Sequence, residues 1–171
     1  MKFFSGFSLK GEEEIFREYL VEGDFVVAGF SKGAIEAFEY VYRLEDRVDR
    51  LLLFSPAFFQ DRDEKFKKLQ LIYFKKDFHK YISNFLENIS YPSSFDMKKY
   101  LEISTYNELK NLLYYIWSRE KLEYLYEKGV KIEVFLGEKD KIINSLNARE
   151  FFKELATTYY IKGVGHILKG E

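Results

Sequence analysis

Four stretches of the chain have continuous apolar bodies too short for helices: Asp24–Gly29, Arg50–Phe54, Val130–Leu136 and Thr158–Lys162. A run such as Leu51-Leu52-Leu53-Phe54 leaves no polar face, which is how strands covered on both sides of a parallel sheet read. A fifth candidate strand, Lys2–Ser5, opens the sequence. Between the strands the apolar spacing becomes helical. Ala34, Ala37, Phe38 and Val41 recur at i, i+3, i+4 and i+7, as do Ala148, Phe151, Phe152 and Leu155. Glu12–Leu20 predicts a shorter helix that would bury Ile15, Phe16, Tyr19 and Leu20. Strand and helix alternate, so the fold class is α/β with about five mostly parallel strands.

Residues 61–128 break that rhythm. They lack a clear strand and carry helical stripes such as Leu109, Leu112, Leu113 and Ile116. They read as a helical insertion between the third and fourth strands. The alternative is one large crossover, far longer than sheet geometry requires.

At 171 residues the chain is sized for one domain, and 47% apolar residues allow a packed core. The charge nearly cancels, 27 Lys and Arg against 28 Asp and Glu. There is no global attraction to polyanions, and nucleic acid is not an expected partner. The longest uncharged run, Leu51 to Gln60, is ten residues, too short to span a bilayer. Phe3–Leu9 is short for a signal peptide and leads into Glu12-Glu13-Glu14. With no Cys, disulfides, thiol catalysis and thiolate metal sites are excluded together. The expectation is a cytoplasmic protein. Its 18 Phe and 14 Tyr, beside abundant Lys, read as compositional bias before they read as an aromatic ligand site.

The informative pentapeptide is Gly29-Phe30-Ser31-Lys32-Gly33. G-x-S-x-G is a nucleophile elbow where it joins a strand to a helix through a sharp turn. Here Phe25-Val26-Val27-Ala28 precedes it and the Ala34–Val41 stripe follows. A serine hydroxyl is a poor nucleophile until a base, oriented by a third group, takes its proton. Of the two histidines, His79 sits in the charged stretch Lys75–Lys80 and reads as a solvated surface residue. His166 follows the last strand in Gly163-Val164-Gly165-His166 and is the candidate base. Asp140 lies just past the carboxyl end of the fourth strand, and Ser31 and His166 lie past the ends of the second and fifth. In a parallel sheet those ends share one edge. Asp46 and Asp49 precede a strand and would lie at the opposite edge.

An oxyanion hole needs two backbone N–H groups aimed at the negative oxygen of a tetrahedral intermediate. Lys32, directly after the nucleophile, is placed to supply one. The loop Ser5-Gly6-Phe7-Ser8 is placed to supply the other through Phe7. Two distant histidines give no metal-ligand spacing, and no phosphate loop is present, so no metal and no cofactor are expected.

At these motifs the chain resembles the α/β-hydrolase superfamily, in its truncated form. The resemblance rests on Gly29–Gly33, Gly137-Glu138-Lys139-Asp140 and Gly165-His166. Ser5-Gly6-Phe7 resembles the family's His-Gly-aromatic oxyanion loop, with Ser5 in place of the usual His. Lys2–Phe7, Leu51–Pro56 and Gly129–Phe135 are similar to the short pimeloyl-(acyl-carrier protein) methyl ester esterases of the BioV type, enzymes of biotin synthesis. That resemblance implies a serine carboxylesterase that releases methanol, and an acyl-carrier protein as partner. The strands that normally precede the oxyanion loop are missing, and there is no room for a helix after His166. The second sheet face is then expected to be covered by the insertion or by a second copy of the chain as a homodimer.

The insertion is expected to form a lid and a carrier dock. Arg62, Lys65, Lys67, Lys68, Lys75, Lys76 and Lys80 face only three acids in the same stretch, Asp63, Glu64 and Asp77. Complementarity to an acidic carrier raises encounter rate and weakens with salt.

Overall fold

The computed structural model describes residues 1–171. Its strands are β1 (Lys2–Phe4), β2 (Val26–Phe30), β3 (Arg50–Phe54), β4 (Lys131–Gly137) and β5 (Thr157–Ile161). They form one sheet in the order β1-β2-β3-β4-β5, every neighbouring pair parallel. The helices are α1 (Lys32–Arg43), α2 (Glu64–Lys76), α3 (Phe78–Ser90), α4 (Tyr106–Tyr114), α5 (Arg119–Glu127) and α6 (Ser145–Phe152). Residues 61–128 hold α2 to α5 and a 3-10 turn, and no strand of the sheet. No helix is long and apolar enough to cross a membrane.

Local chemistry starts these helices. Asp63 accepts from the Phe66 amide ahead of α2, and Asp77 from the Lys80 amide ahead of α3. At α4 the Thr105 hydroxyl accepts from the Glu108 N–H while the Glu108 carboxylate accepts from the Thr105 N–H. This capping box satisfies two donors that a helix start leaves free.

The two sheet faces are covered differently. Val27, Leu51, Leu53, Ile132 and Val134 point towards α1 and α6, with buried Trp117 wedged between Phe38 of α1 and Phe152 of α6. The other face carries an aromatic row in register across four strands: Phe30, Phe54, Phe135 and Tyr159. The connection from β1 to β2 lies across this row. Phe16 stacks on Phe54 with centroids 4.7 Å apart and meets Phe30 at 4.8 Å, and Tyr19 leans on Phe135. This cover is the chain's own 10–24 segment, which carries Ile15, Phe16, Tyr19 and Leu20, and not the insertion. At the β5 margin the cover runs out, and Tyr159 stays 40% exposed.

That segment is also not the helix predicted over Glu12–Leu20. Only Glu13–Phe16 forms a 3-10 turn. A helix of nine residues has little stability of its own. Here the segment spreads its apolar side chains flat over the aromatic row, and Glu12 turns inward to a main-chain amide. α6 likewise stops at Phe152, three residues before the end of its apolar stripe, where Leu155 and Ala156 amides close onto the Phe152 carbonyl.

Candidate active site

The elbow is built from backbone crowding. Ser31 sits between β2 and α1 with φ at +54°, a region that only a well-determined fold imposes on a side-chain-bearing residue. Its amide donates to the Phe54 carbonyl at 2.9 Å, and its carbonyl accepts from Ala34 and Ala57. A Cβ on Gly33 would lie 2.0 Å from the Phe4 carbonyl oxygen, so β1 and α1 meet this closely only through a glycine.

The structure brings the three sequence-derived candidates together. His166 Nε2 lies 3.0 Å from Ser31 Oγ, and Nδ1 lies 2.7 Å from Asp140 Oδ2. Facing a carboxylate, Nδ1 carries the proton; Nε2 is then the acceptor and the serine hydroxyl donates to it. Asp140 is held from behind, its Oδ1 accepting from Ile142 N–H at 2.7 Å and Ile143 N–H at 3.0 Å. The His166 side chain and the Asp140 carboxylate are fully buried, and Ser31 is 3% exposed. Phe30 packs against the imidazole.

Ser31 lies at the floor of a cavity of about 630 Å3. Its walls include the apolar side chains of Phe7, Phe59, Leu109, Leu112 and Ile142 and the polar ones of Gln70, Tyr81, Asn84 and Asn88 from α2 and α3. Lys76, Lys80 and Lys141 border it too, against one acid, Asp77. Burial pushes the Tyr81 phenol well above its usual range, and its hydroxyl donates to Gln70 Oε1 at 3.1 Å, keeping the phenol a neutral donor. The insertion thus roofs the cavity, and Lys32 ties it to the elbow: Lys32 Nζ reaches Glu36 at 2.6 Å and Glu108 of α4 at 3.6 Å.

The seven basic residues proposed for docking separate. Lys76 and Lys80 line the cavity. Lys65 is exposed, Lys68 pairs with Glu64, Lys67 and Lys75 lie over the rings of Tyr114 and Tyr106, and Arg62 lies over Phe66. His79 is exposed, as expected. Phe7 is buried and lines the same cavity as Ser31, and Lys32 opens α1.

Three residues at the site were not singled out from sequence. Ser55, buried with φ at +41°, donates its hydroxyl to the His166 carbonyl at 2.6 Å and so fixes the histidine loop. Glu12 is fully buried under the loop after β1. Lys141 follows Asp140 and covers the Tyr91 ring. Only Ser55 had a local signal, the Ser-Pro step at the end of β3.

No protein-family model matches the chain, and no curated protein matches it in sequence. Solved structures do match in shape. MenH from S. aureus is similar with a TM-score of 0.63 at 13% identity, over 98% of this chain and 87% of its own. BioG from Haemophilus influenzae gives 0.60 at 12%, over 96% and 87%. An esterase from Exiguobacterium antarcticum gives 0.61 at 16%, over 90% of this chain. The chain spans only 63% of that esterase's length. What these proteins share with this chain is the α/β-hydrolase fold.

Proposed function

We propose that this chain, with its α/β-hydrolase fold, is a serine carboxylesterase that acts on the methyl ester of a pimeloyl group carried by an acyl-carrier protein. The observation that carries the esterase reading is the relay from Ser31 Oγ through His166 to Asp140, 3.0 and 2.7 Å long, at the floor of an apolar cavity. Ser31 Oγ attacks the ester carbonyl and passes its proton to His166 Nε2. Asp140 holds the imidazole tautomer and stabilises the cation. The amides of Phe7 and Lys32 bind the oxyanion. Collapse expels methanol, which takes the proton from His166. Water, deprotonated by the same nitrogen, then attacks the acyl-enzyme, and the free acid leaves as Ser31 is reprotonated.

The substrate reading rests on the resemblance of Lys2–Phe7, Leu51–Pro56 and Gly129–Phe135 to the BioV-type enzymes. The cavity supports it: the apolar part of its lining suits an acyl chain, and Lys76, Lys80 and Lys141 suit an acidic carrier. A carrier too bulky to enter would hold its thioester outside, so position would select the methyl ester. The similarity to BioG supports the fold behind this reading and not the substrate.

Methanol release from methyl pimeloyl-(acyl-carrier protein), set beside a panel of simple esters, tests it. The proposal expects kcat/KM to be highest on the carrier-bound ester. Equal or better turnover of short free esters would make the protein a general short-acyl esterase, and thioester cleavage would make it a thioesterase.

A further inference from the structure

Several main-chain amides after β1 are held. Gly6 N–H donates to Glu12 Oε1 at 2.6 Å, Ser8 N–H donates to Ser104 Oγ at 2.9 Å, and Leu9 N–H donates to the Gly6 carbonyl at 3.2 Å. Between the tethered amides of Gly6 and Ser8 lies Phe7, whose side chain borders the cavity beside Ser31. Peptide units are rigid planes. The Phe7 N–H shares its plane with the Gly6 carbonyl, which Leu9 holds, and the planes on either side are tethered through the Gly6 and Ser8 amides, so its direction is restrained from both sides.

Gly6 is the weak point of this arrangement. A Cβ there would lie 2.9 Å from the Phe30 ring, so the position takes glycine, the least restrained backbone. Glu12 supplies the restraint. Its side chain is fully buried, and its second oxygen, Oε2, has no hydrogen-bond partner. Burial pushes its pKa up, while the Gly6 N–H and the Ser5 hydroxyl pull it down. Its neighbours Glu13 and Glu14 are exposed, and Glu14 pairs at the surface with Lys99 and the Tyr100 hydroxyl. A carboxyl taken out of water carries a desolvation cost that its one strong bond must offset, and that bond goes to the oxyanion loop.

We infer that Glu12 is a positioning residue: by clamping the Gly6 amide it aims the Phe7 N–H at the oxyanion formed above Ser31. The inference rests on the serine-esterase reading. It is a claim about the transition state, because an oxyanion donor is used there more than in the bound substrate.

Three variants test it, assayed on a chromogenic short-chain ester and with a trifluoromethyl ketone that forms a tetrahedral adduct on the serine. Glu12→Gln keeps an acceptor oxygen at the same reach. Glu12→Asp keeps the charge and shortens the reach by one carbon. Glu12→Ala removes the group. Glu12→Gln should stay within about threefold of wild type, while Glu12→Asp and Glu12→Ala should lose about 10- to 100-fold in kcat, somewhat less than deletion of an oxyanion donor itself. KM should move by less than about twofold, and ketone affinity should fall in step with kcat. A purely structural role would lower the melting temperature and leave kcat and ketone affinity of the folded protein unchanged. The inference is overturned if Glu12→Asp keeps wild-type kcat, if Glu12→Gln falls as far as Glu12→Asp, or if kcat falls while ketone affinity does not. Should Glu12→Ala fail to fold, the Gln and Asp pair still decides. Absence of Ser31-dependent turnover in the unmodified protein is a separate result, read before any variant, and it would overturn the esterase reading.

Discussion

Replacing Asp140 with Asn exchanges one acceptor oxygen for an amide donor in a fully buried position with three hydrogen-bond partners. Oδ1 accepts from the Ile142 and Ile143 amides, and Oδ2 accepts from His166 Nδ1. The asparagine has two orientations. If its NH2 faced the loop, two main-chain N–H groups would meet a donor, at about 1–3 kcal/mol each for buried unsatisfied groups. If its oxygen stays on the loop, only the imidazole must change, and it can do so by moving its proton from Nδ1 to Nε2. The second arrangement wins by several kcal/mol on that comparison. It leaves Nε2 protonated and unable to accept from Ser31, so the fold survives while the base is lost. Triads that suffer this change lose about 10^4-fold in kcat, about 5.4 kcal/mol of barrier. The assay is steady-state hydrolysis of a chromogenic ester, with circular dichroism and thermal melting to show that the variant folds. A folded Asp140→Asn protein with kcat within about tenfold of wild type would refute the tautomer argument and the assignment of Asp140 with it.

Gly33→Ala should be among the most damaging small substitutions. Its Cβ would meet main-chain atoms of Phe4 and Ser5 at 2.0–2.5 Å, which cannot swing aside. A loss of about 2–3 kcal/mol, or about 5–10 °C in Tm, is expected, and an unchanged melt would contradict the close approach. Reversing Lys76, Lys80 and Lys141 to Glu should depress kcat/KM on a carrier-bound ester, mostly at low salt, and spare a small soluble ester. Equal losses on both substrates would indicate a damaged cavity instead of a dock. Burial raises the pKa of Glu12 in the fold, so its contribution to stability is present below the unfolded value and is lost as pH rises through the folded one. Glu12→Gln, which does not titrate, should therefore gain stability relative to wild type as pH rises through that window. Urea melts across the acidic range measure this, and a difference that shrinks with rising pH would be inconsistent with a buried, desolvated carboxyl.

The parts of the molecule legible in the sequence are those set by local pattern or by chain order. Leu51–Phe54 reads as a doubly covered strand and is one, and Gly29–Gly33 reads as a strand-to-helix elbow because crowding restricts its flanking residues. Ser31, Asp140 and His166 could be aligned in advance because each follows a parallel strand, and parallel strands end at one edge. What was not legible depends on which way a side chain turns. Glu12, Glu13 and Glu14 are three identical letters, and only the contact with an amide six residues back separates the buried one from its exposed neighbours. The same segment carries a helical apolar spacing, yet the aromatic row beneath it favours a flattened path. The lysines of α2 and α3 share one composition and several environments, since neighbouring tyrosines and Glu64 engage some of them and leave Lys76 and Lys80 at the cavity.

The central claim is that Ser31 is an activated nucleophile. Its most direct test is the intact mass of the protein after treatment with a fluorophosphonate, followed by peptide mapping. A single adduct is expected on the peptide bearing Ser31, absent from Ser31→Ala and strongly slowed in His166→Ala. An unmodified wild-type protein, or an adduct on any other residue, would contradict it.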